Sequence, residues 1–497
     1  MRNTERRVAY LVAAAALAQA ACAAPLRQAV SHHETRIADQ ALRYTATVRE
    51  FPVRDPAGQI GARVVTIAYT RDGVAQPIAR PVIFAFNGGP GASSSPLHMK
   101  AMGPIVREKS GPDDRSESRL VANESSPLDV ADLVFIDPVS TGFSRALPGV
   151  DPKPWYDSRF DARTVADVIA QWLRANGREH SPRFLMGESY GAIRAALIAN
   201  GEPAASFDGV LLVSGPGTPF DAPPDVQIVG SIASLAAGAW YHGRVDRRGL
   251  TSAQFFEAAA AFARGPYAQA LALGDALPAE ERQRIAAALS DYIGLPVPLI
   301  LEKNLRIDAN TWMFNVLKDR GLRTGRLDLR VTSPLLPGQE GAIDDPALGV
   351  VPQGKAGPPP TPASLGAIES PVVGAYLKEQ LGFTAGDPYI GVNFLANSQW
   401  TFHPDGGSEA NMASAMTRDP RLRLFVTAGY FDYGASDGVG YLDAGVPAAR
   451  FTFAPLPGPH EVYDGAENRA AFNDAVRRFV TVERVDAGTA VRSVEGR

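Results

Sequence analysis

The chain has 497 residues, of which 45% are hydrophobic and 21% are charged, and its formal net charge is −4. This is the composition of an ordinary globular protein, so a disordered or fibrous chain is excluded. The weak net charge and the lack of a polybasic cluster give no support for a nucleic-acid partner.

The first 23 residues have the pattern of an export signal. Arg2, Arg6 and Arg7 precede an apolar run at residues 8–21. This run is shorter than the roughly 20 residues that span a bilayer, but it suits the apolar region of a signal peptide. No later stretch is long and apolar enough for a membrane helix. We therefore expect an exported protein, either periplasmic or secreted.

The single cysteine, Cys22, directly follows this segment, so the chain cannot form an internal disulfide. Two interpretations of Cys22 stay open. Residues 19–22 loosely resemble a bacterial lipoprotein cleavage site, with a signal that ends at residue 21 and a lipid anchor on Cys22. Alternatively, residues 21–23 form a small-residue cleavage site and the cysteine is removed. Gln19, where lipoproteins usually have an aliphatic residue, weakens the first interpretation.

Strand and helix patterns alternate over the first half of the chain. Residues 41–70 alternate between polar and apolar, with turn signals at residues 55–58 and 71–73, which predicts antiparallel hairpins. Continuous apolar runs predict three buried strands, at residues 81–86, 132–136 and 183–186. A helix is predicted between the last two, at residues 161–176. Apolar strands that alternate with helices indicate a mostly parallel sheet with covered faces.

The pattern changes between about residues 240 and 385. Helical patterns predominate there, and a proline-rich loop at residues 358–360 interrupts them; the helical segments are residues 252–264, 278–293 and 366–381. Strand patterns return at residues 422–427 and 451–454, before a helix near residues 468–480. The predicted division is a signal peptide, a first core part, a largely helical insertion or lid, a second core part and a polar tail, at residues 1–23, 40–239, 240–385, 386–482 and 483–497.

The strongest functional motif is Gly-Glu-Ser-Tyr-Gly at residues 187–191, which fits G-x-S-x-G. It directly follows the strand at residues 183–186 and precedes a helix-prone run at residues 192–199. A strand, a sharp turn and a helix in this order expose a serine hydroxyl at the carboxyl edge of an α/β-hydrolase sheet. We therefore predict the α/β-hydrolase fold, with Ser189 as the nucleophile.

A serine nucleophile needs a base, and in this fold the histidine comes last in the chain. His460 lies between the strand at residues 451–454 and the last helix, so we expect it at the same sheet edge as Ser189. His242 lies in the presumed insertion and His403 in a polar loop. His460 is therefore the predicted base.

The acid of the triad should follow the strand before that histidine. Asp432 follows the strand at residues 422–427 and is the predicted acid, with Asp437, five residues further on, as the fallback. The 243 residues between Ser189 and Asp432 leave room for the helical insertion.

A glycine-rich loop, Asn-Gly-Gly-Pro-Gly at residues 87–91, follows the strand at residues 81–86. Glycines let backbone N–H groups approach a reacting carbonyl. In this fold one oxyanion donor comes from such a loop and the other from the residue after the nucleophile. The predicted donors are the N–H groups of Gly89 and Tyr190.

These stretches together resemble the serine carboxypeptidase family. Residues 86–91 are similar to the oxyanion loop of the family, and residues 187–191 to its nucleophile motif. Residues 137–144, Asp-Pro-Val-Ser-Thr-Gly-Phe-Ser, resemble a further signature, and residues 239–242, Ala-Trp-Tyr-His, are similar to bacterial members. The similarity extends from about residue 40 to residue 480.

The resemblance implies an enzyme that removes single residues from the C-termini of peptides through an acyl-enzyme. It also implies that Asn87, Gly88 and Glu188 hold the terminal carboxylate of the substrate. We expect peptide substrates, no cofactor and no metal. The alternative is an esterase or acyltransferase that uses the same triad, because some relatives are acyltransferases or lyases. A catalytically dead binding protein is a third hypothesis, against which the intact triad argues.

Four positions depart from the family pattern. The tryptophan that many members carry two residues before the asparagine is Ala85, so its part in carboxylate binding is weakened or moved. The cysteine of the oxyanion motif is Ala92, and the usual Gly-His-Met at the base is Pro-His-Glu at residues 459–461. These departures leave the triad intact and concern the choice of substrate.

Overall fold

A computed structural model describes residues 25–109, 118–201, 206–216, 223–336, 345–348, 365–403, 407–434 and 438–482. Several predicted features lie outside the described residues: the signal region 1–23 with Cys22, the proline-rich loop 358–360, the fallback acid Asp437 and the tail 483–497. Among the described residues no helix combines the length and the apolar character needed to cross a membrane.

The strands of the described chain are numbered here in chain order. They are β1 (Gln28–Ile37), β2 (Gln40–Arg54), β3 (Ile60–Arg71), β4 (Val82–Phe86), β5 (Ile105–Lys109), β6 (Ser118–Ala122), β7 (Asp132–Asp137), β8 (Arg145–Ala146), β9 (Arg183–Glu188), β10 (Gly209–Val213), β11 (Leu322–Thr324), β12 (Thr332–Pro334), β13 (Ala367–Glu369), β14 (Ile390–Asn393), β15 (Arg423–Thr427) and β16 (Phe451–Phe453).

The α-helices of the described chain lie mostly after β9. They are Ser158–Ala175, Tyr190–Asn200, Pro224–Tyr241, Ser252–Phe262, Ala268–Leu273, Ala279–Ile293, Val297–Glu302, Ala309–Asn315, Pro371–Glu379, Phe394–Ser398, Gly407–Arg418, Val439–Asp443 and Ala466–Thr481.

The chain divides into two compact units. The first consists of Met1–Val106, Leu120–Val210 and Pro362–His403, and the second of Arg107–Arg119, Leu211–Thr361 and Pro404–Arg497. The predicted boundaries of the insertion, at residues 240 and 385, stay a prediction.

In the first unit the strand order is β1-β2-β3-β7-β4-β9, with β8 beside β3. The hairpins β1–β2 and β2–β3 are antiparallel, as is the pair β3–β7. β7, β4 and β9 run parallel to one another. The helix Ser158–Ala175 connects β7 to β9 along the chain, which is the parallel crossover that the sequence predicts.

β10, whose last three residues belong to the second unit, is followed in the strand order by β15 and β16, and β15 and β16 are parallel. Every residue of β4, β7 and β10 is buried, as expected for strands of a parallel sheet with both faces covered. The predicted α/β-hydrolase fold, with a mostly parallel central sheet and flanking helices, is confirmed.

Most of the second unit's helices pack around one apolar core. Its buried residues include Ile232, Tyr267, Leu289 and Trp312. Gly238 is required at one contact, since a Cβ there would lie 2.7 Å from the Trp312 ring. These helices begin and end at residues suited to helix termini; the examples are a capping box at Thr251, an N-cap at Asp308 and a left-handed C-cap at Gly294.

The helix predicted at residues 366–381 is shorter than expected. It spans Pro371–Glu379, and the three residues Ala367–Glu369 before it form β13, paired with β14. Proline favours the first position of a helix because its missing N–H has no partner there in any case. Pro371 therefore starts the helix, and the residues before it are left to pair as a strand.

A buried cluster of charge lies at the start of β7. The Asp132 carboxylate accepts a hydrogen bond from Arg80 Nε at 2.8 Å and another from Arg178 Nη1 at 2.6 Å, and it also accepts from the Arg71 backbone N–H. All three side chains in these ion pairs are nearly inaccessible to water. A buried guanidinium is tolerated only when it is paired, so Asp132 holds the chain before β4 and the loop before β9 against β7.

We expect Asp132→Asn to destabilise the protein by about 3 kcal/mol or more, because the substitution leaves two buried guanidinium groups without a counter-charge. The measurement is the urea midpoint. Glu281→Gln, which breaks the exposed Glu281–Arg284 pair, is the control and should leave the midpoint unchanged. Equal midpoints for wild type and Asp132→Asn would show that the cluster does not stabilise the fold.

Candidate active site

Ser189 lies at a sharp turn between β9 and the helix Tyr190–Asn200. Its backbone has φ 58° and ψ −128°, which is rare for a residue with a side chain. The turn also needs Gly187, because a Cβ there would collide with the Gly191 carbonyl oxygen. Strained backbone of this kind at a strand–helix junction presents a nucleophile at the end of the sheet.

The glycine-rich loop after β4 lies directly against this turn. β4 and β9 are parallel neighbours, with Phe86 paired with Gly187, so the residues after them meet at one edge. A Cβ on Gly88 would collide with the backbone N of Tyr190 and lie 2.5 Å from that of Gly191. Only glycine permits this approach. The structure therefore places residues 87–91 beside Ser189 and Tyr190.

The residues predicted to hold a substrate carboxylate lie in the same unit. Asn87 and Glu188 are buried, and Gly88 separates Asn87 from the loop tip. Asn87 Oδ1 accepts a hydrogen bond from the Leu97 backbone N–H at 3.1 Å. This bond fixes the orientation of the amide and directs its Nδ2 group, a donor, away from Leu97.

Asp432 and His460 form a hydrogen-bonded pair in the second unit. His460 Nδ1 lies 2.7 Å from Asp432 Oδ2. Asp432 is buried and the His460 side chain is about one-fifth exposed. A carboxylate that accepts from Nδ1–H holds the imidazole in the tautomer whose Nε2 carries no proton and can accept one. This is the geometry that a base needs.

The environment of Asp432 makes its charge depend on that histidine. Burial is the largest influence on the pKa of Asp432 and raises it, against the lowering effects of His460 and Arg326. Since burial penalises the ionised carboxyl, a positive charge on the imidazole is the natural partner for it. The pair is therefore suited to stabilise an imidazolium that forms during a reaction.

The loops that carry this pair are joined through their backbones. The N–H groups of Tyr430 and Phe431 donate to the carbonyl oxygens of Leu456 and Gly458. Gly429 is essential to this contact, because a Cβ there would collide with the carbonyl oxygens of Gly458 and Pro459. The distance between acid and base is thus set by backbone contacts as well as by the side chains.

Three residues that were not predicted from the sequence hold His460 in place. The His460 N–H donates to the Leu327 carbonyl oxygen at 2.8 Å, and Ser214 Oγ donates to the His460 carbonyl oxygen at 2.6 Å. The buried Asp345 carboxylate accepts from the N–H groups of Arg326 and Leu327, which fixes that turn. The two contacts of His460 itself join residues more than a hundred positions apart, so no local motif predicts them.

The histidines that were rejected as bases have other partners. His242 Nε2 lies 2.8 Å from the Leu329 carbonyl oxygen, and burial lowers its pKa. His403 Nε2 lies 2.5 Å from Asp157 Oδ2. Asp157 also caps the helix Ser158–Ala175. Within the described residues no group of three or more His, Cys, Asp or Glu side chains is placed to hold a metal ion.

Comparison with known proteins supports the predicted resemblance. Residues 69–200 match the family model of the serine carboxypeptidases. This segment contains both the glycine-rich loop and the turn at Ser189. The chain is a serine hydrolase, and over residues 69–200 it is similar to the serine carboxypeptidases. A comparison with curated protein sequences found no significant match.

One solved structure supports the assignment of the fold. A prohormone-processing carboxypeptidase from Saccharomyces cerevisiae has a TM-score of 0.51 and 15% sequence identity, over 88% of this chain and 91% of that chain. A proline iminopeptidase from Mycobacterium smegmatis has a TM-score of 0.36 and 16% identity, over 87% of this chain and 97% of that chain. At these identities the likeness concerns the fold, and the family match supports peptidase activity in general.

We expect Gly429→Ala to lower kcat by about tenfold or more, equivalent to about 1.4 kcal/mol in the barrier, because the added Cβ pushes the acid loop away from the histidine loop. The measurement is kcat on an activated ester. Gly386→Ala is the matched control, since a Cβ there has nothing within 4 Å. Wild-type kcat in Gly429→Ala would mean that the two loops tolerate separation.

Proposed function

We propose that the protein is a serine-type carboxypeptidase that removes C-terminal residues from peptides through an acyl-enzyme. The observation that carries the proposal is the strained backbone of Ser189 beside the glycine-rich loop, inside the segment that matches the serine carboxypeptidases. A nucleophile turn and an oxyanion loop are the two parts that acyl transfer requires.

The proposed triad is Ser189, Asp432 and His460. The order serine, acid, histidine along the chain is that of the α/β-hydrolase fold. Each residue follows a strand of the parallel part of the fold: β9, β15 and β16. The Asp432–His460 hydrogen bond supports the assignment of acid and base.

In the proposed reaction Ser189 Oγ attacks the carbonyl carbon of the last peptide bond. His460 Nε2 takes the Oγ proton and then gives it to the leaving amino group, so the C–N bond breaks and a free amino acid departs. Water, deprotonated by the same histidine, then attacks the ester. The peptide leaves one residue shorter, with its new carboxylate, and Ser189 regains its proton.

The N–H groups of Gly89 and Tyr190 are the proposed oxyanion donors. Gly88 lies against the Tyr190 backbone N, which supports a short separation between the two donors. Donors that are already in place cost no reorganisation when the negative charge develops on the carbonyl oxygen.

Recognition of the substrate C-terminus is assigned to Asn87, Gly88 and Glu188. Asn87 offers its Nδ2 group, and the buried Glu188 offers a carboxyl that can share a proton with the substrate carboxylate. One observation favours the alternative of an esterase or acyltransferase: position 85, where many family members have tryptophan, is a fully buried alanine. The three residues would then have no carboxylate to hold.

We also propose export from the cytoplasm, on the basis of the signal-like pattern in residues 1–23. A peptidase outside the cytoplasm would meet peptides from the surroundings of the cell. The lipid-anchored and the processed forms at Cys22 are both compatible with this function.

We expect Ser189→Ala to abolish turnover and labelling by an organophosphonate, because the nucleophile is lost. Loss of a triad serine lowers kcat by about a million-fold, and the small activity that remains comes from oxyanion binding. Labelling is read by intact mass. Retention of near-full activity would show that another group is the nucleophile.

We expect KM for peptides to rise with pH, while KM for the corresponding C-terminal amides does not. Two carboxyl groups held within hydrogen-bonding distance cannot both stay ionised, so binding a free-carboxylate peptide takes up a proton. Proton uptake becomes harder as the pH rises, which weakens binding on the alkaline side. On the acid side kcat/KM falls because His460 must be neutral.

The measurement is kcat/KM against pH for a peptide and its amide, on wild type and on Glu188→Gln, which keeps a donor without the charge. The alkaline limb, which is the fall in kcat/KM at high pH, should be present only for wild type with the free-carboxylate peptide. Identical alkaline limbs in all four profiles would remove Glu188 from carboxylate recognition and favour the esterase.

A further inference from the structure

A buried arginine lies beneath the turn at Ser189 and the glycine-rich loop. Arg194 belongs to the helix Tyr190–Asn200 and is wholly inaccessible to water. Its Nε donates to Asp161 Oδ2 at 2.6 Å, and its Nη1 donates to the Asn87 carbonyl oxygen at 2.6 Å. One guanidinium thus joins three separate segments of the first unit.

The same group contacts the residue after the nucleophile. The Tyr190 hydroxyl donates to Asp161 Oδ2 at 3.3 Å. The Arg194 guanidinium lies 5.0 Å from the centre of the Tyr190 ring and 5.3 Å from that of Phe86. The start of the glycine-rich loop, at Asn87, and the residue Tyr190 therefore both touch one ion pair.

Stability alone is a poor explanation for this arrangement. Burying an ion pair costs several kcal/mol of desolvation per charge, and apolar residues of similar volume often stabilise a core as well or better. Within the described part of the chain, Arg194 Nη2 has no hydrogen-bond partner, which adds to the cost. What the guanidinium supplies is a rigid fork of donors that fixes two acceptors relative to each other.

We propose that Arg194, held by Asp161, is a positioning residue for catalysis. It fixes the glycine-rich loop relative to Tyr190 and thereby sets the separation of the Gly89 and Tyr190 N–H groups. Arg194 does not touch the substrate. The inference rests on the proposed function, since it concerns the oxyanion hole of that reaction.

Three variants separate positioning from stability. Arg194→Met leaves Asp161 buried and unpaired. The double variant Asp161→Leu with Arg194→Met removes both charges and keeps apolar volume. Arg194→Lys keeps the charge but loses the fork that reaches both Asp161 and Asn87. Each is measured by urea midpoint, by kcat and KM, and by the rate of labelling with an organophosphonate.

All three variants should lower kcat and the labelling rate by about a hundredfold, the scale of losing one oxyanion donor. KM for an activated ester, which has no terminal carboxylate for Asn87 to hold, should change less than about twofold, because ground-state binding does not use the oxyanion hole. The urea midpoint should fall for Arg194→Met and recover in the double variant. Wild-type kcat in the double variant, or in Arg194→Lys, would overturn the proposal. If the double variant fails to fold, kcat of Arg194→Lys tests the proposal.

Arg178→Met is the matched control. Arg178 is also a buried arginine that binds an aspartate, Asp132, and a backbone carbonyl oxygen, that of Arg80. It should lower the urea midpoint and leave kcat unchanged. The outcomes also distinguish failure of the proposed function from failure of the role of Arg194. Wild-type protein that is not labelled at Ser189 contradicts the proposed function, whereas labelling of wild type and all variants at equal rates contradicts only the role of Arg194.

Discussion

The backbone at Ser189 is held in a conformation that costs on the order of 1–3 kcal/mol. With a φ of 58°, the residue would relax unless its surroundings prevented it. Two glycines remove the obstacles: Gly187 makes room for the Gly191 carbonyl and Gly88 for the amides of Tyr190 and Gly191. Because these contacts are between backbones, no change of rotamer can relieve them. The loop and the turn must therefore move together or not at all.

The sequence predicts this part of the molecule well because its requirements are local. Glycines at positions 187 and 191, a preceding apolar strand and a following helix are all visible within a few residues. The same holds for β4, predicted at residues 81–86 and found at Val82–Phe86. The strands β1 and β10 were not predicted. β1 is largely polar on an exposed edge, and β10 is a five-residue apolar run that periodicity cannot tell from buried helix.

The supports of the site could not be predicted, because they depend on contacts between distant segments. Asp345 acts on His460 only through the backbone of Leu327. Arg194, seen alone in the helical run after the motif, has the appearance of a surface residue. Its burial follows from Asp161 and Asn87, which are 33 and 107 positions away. Pattern and spacing predict the groups of the proposed triad, whereas the contacts that hold these groups in place exist only in the folded chain.

One short strand connects two buried charge clusters of the first unit. β4 has five residues and is about 16 Å long at roughly 3.3 Å per residue. Its first residue, Val82, is paired with Asp132, which binds Arg80 and Arg178. At its other end Asn87 accepts from Arg194. Hydrogen bonds to parallel neighbours fix the position of an apolar strand across the sheet. They fix its position along its own axis less specifically. The bond from Arg194 prevents movement along this axis at the loop end of β4, whereas the Asp132 cluster contributes stability at the other end. The glycine-rich loop is then fixed in three dimensions, which is the condition for backbone donors to stabilise a charge without reorganising.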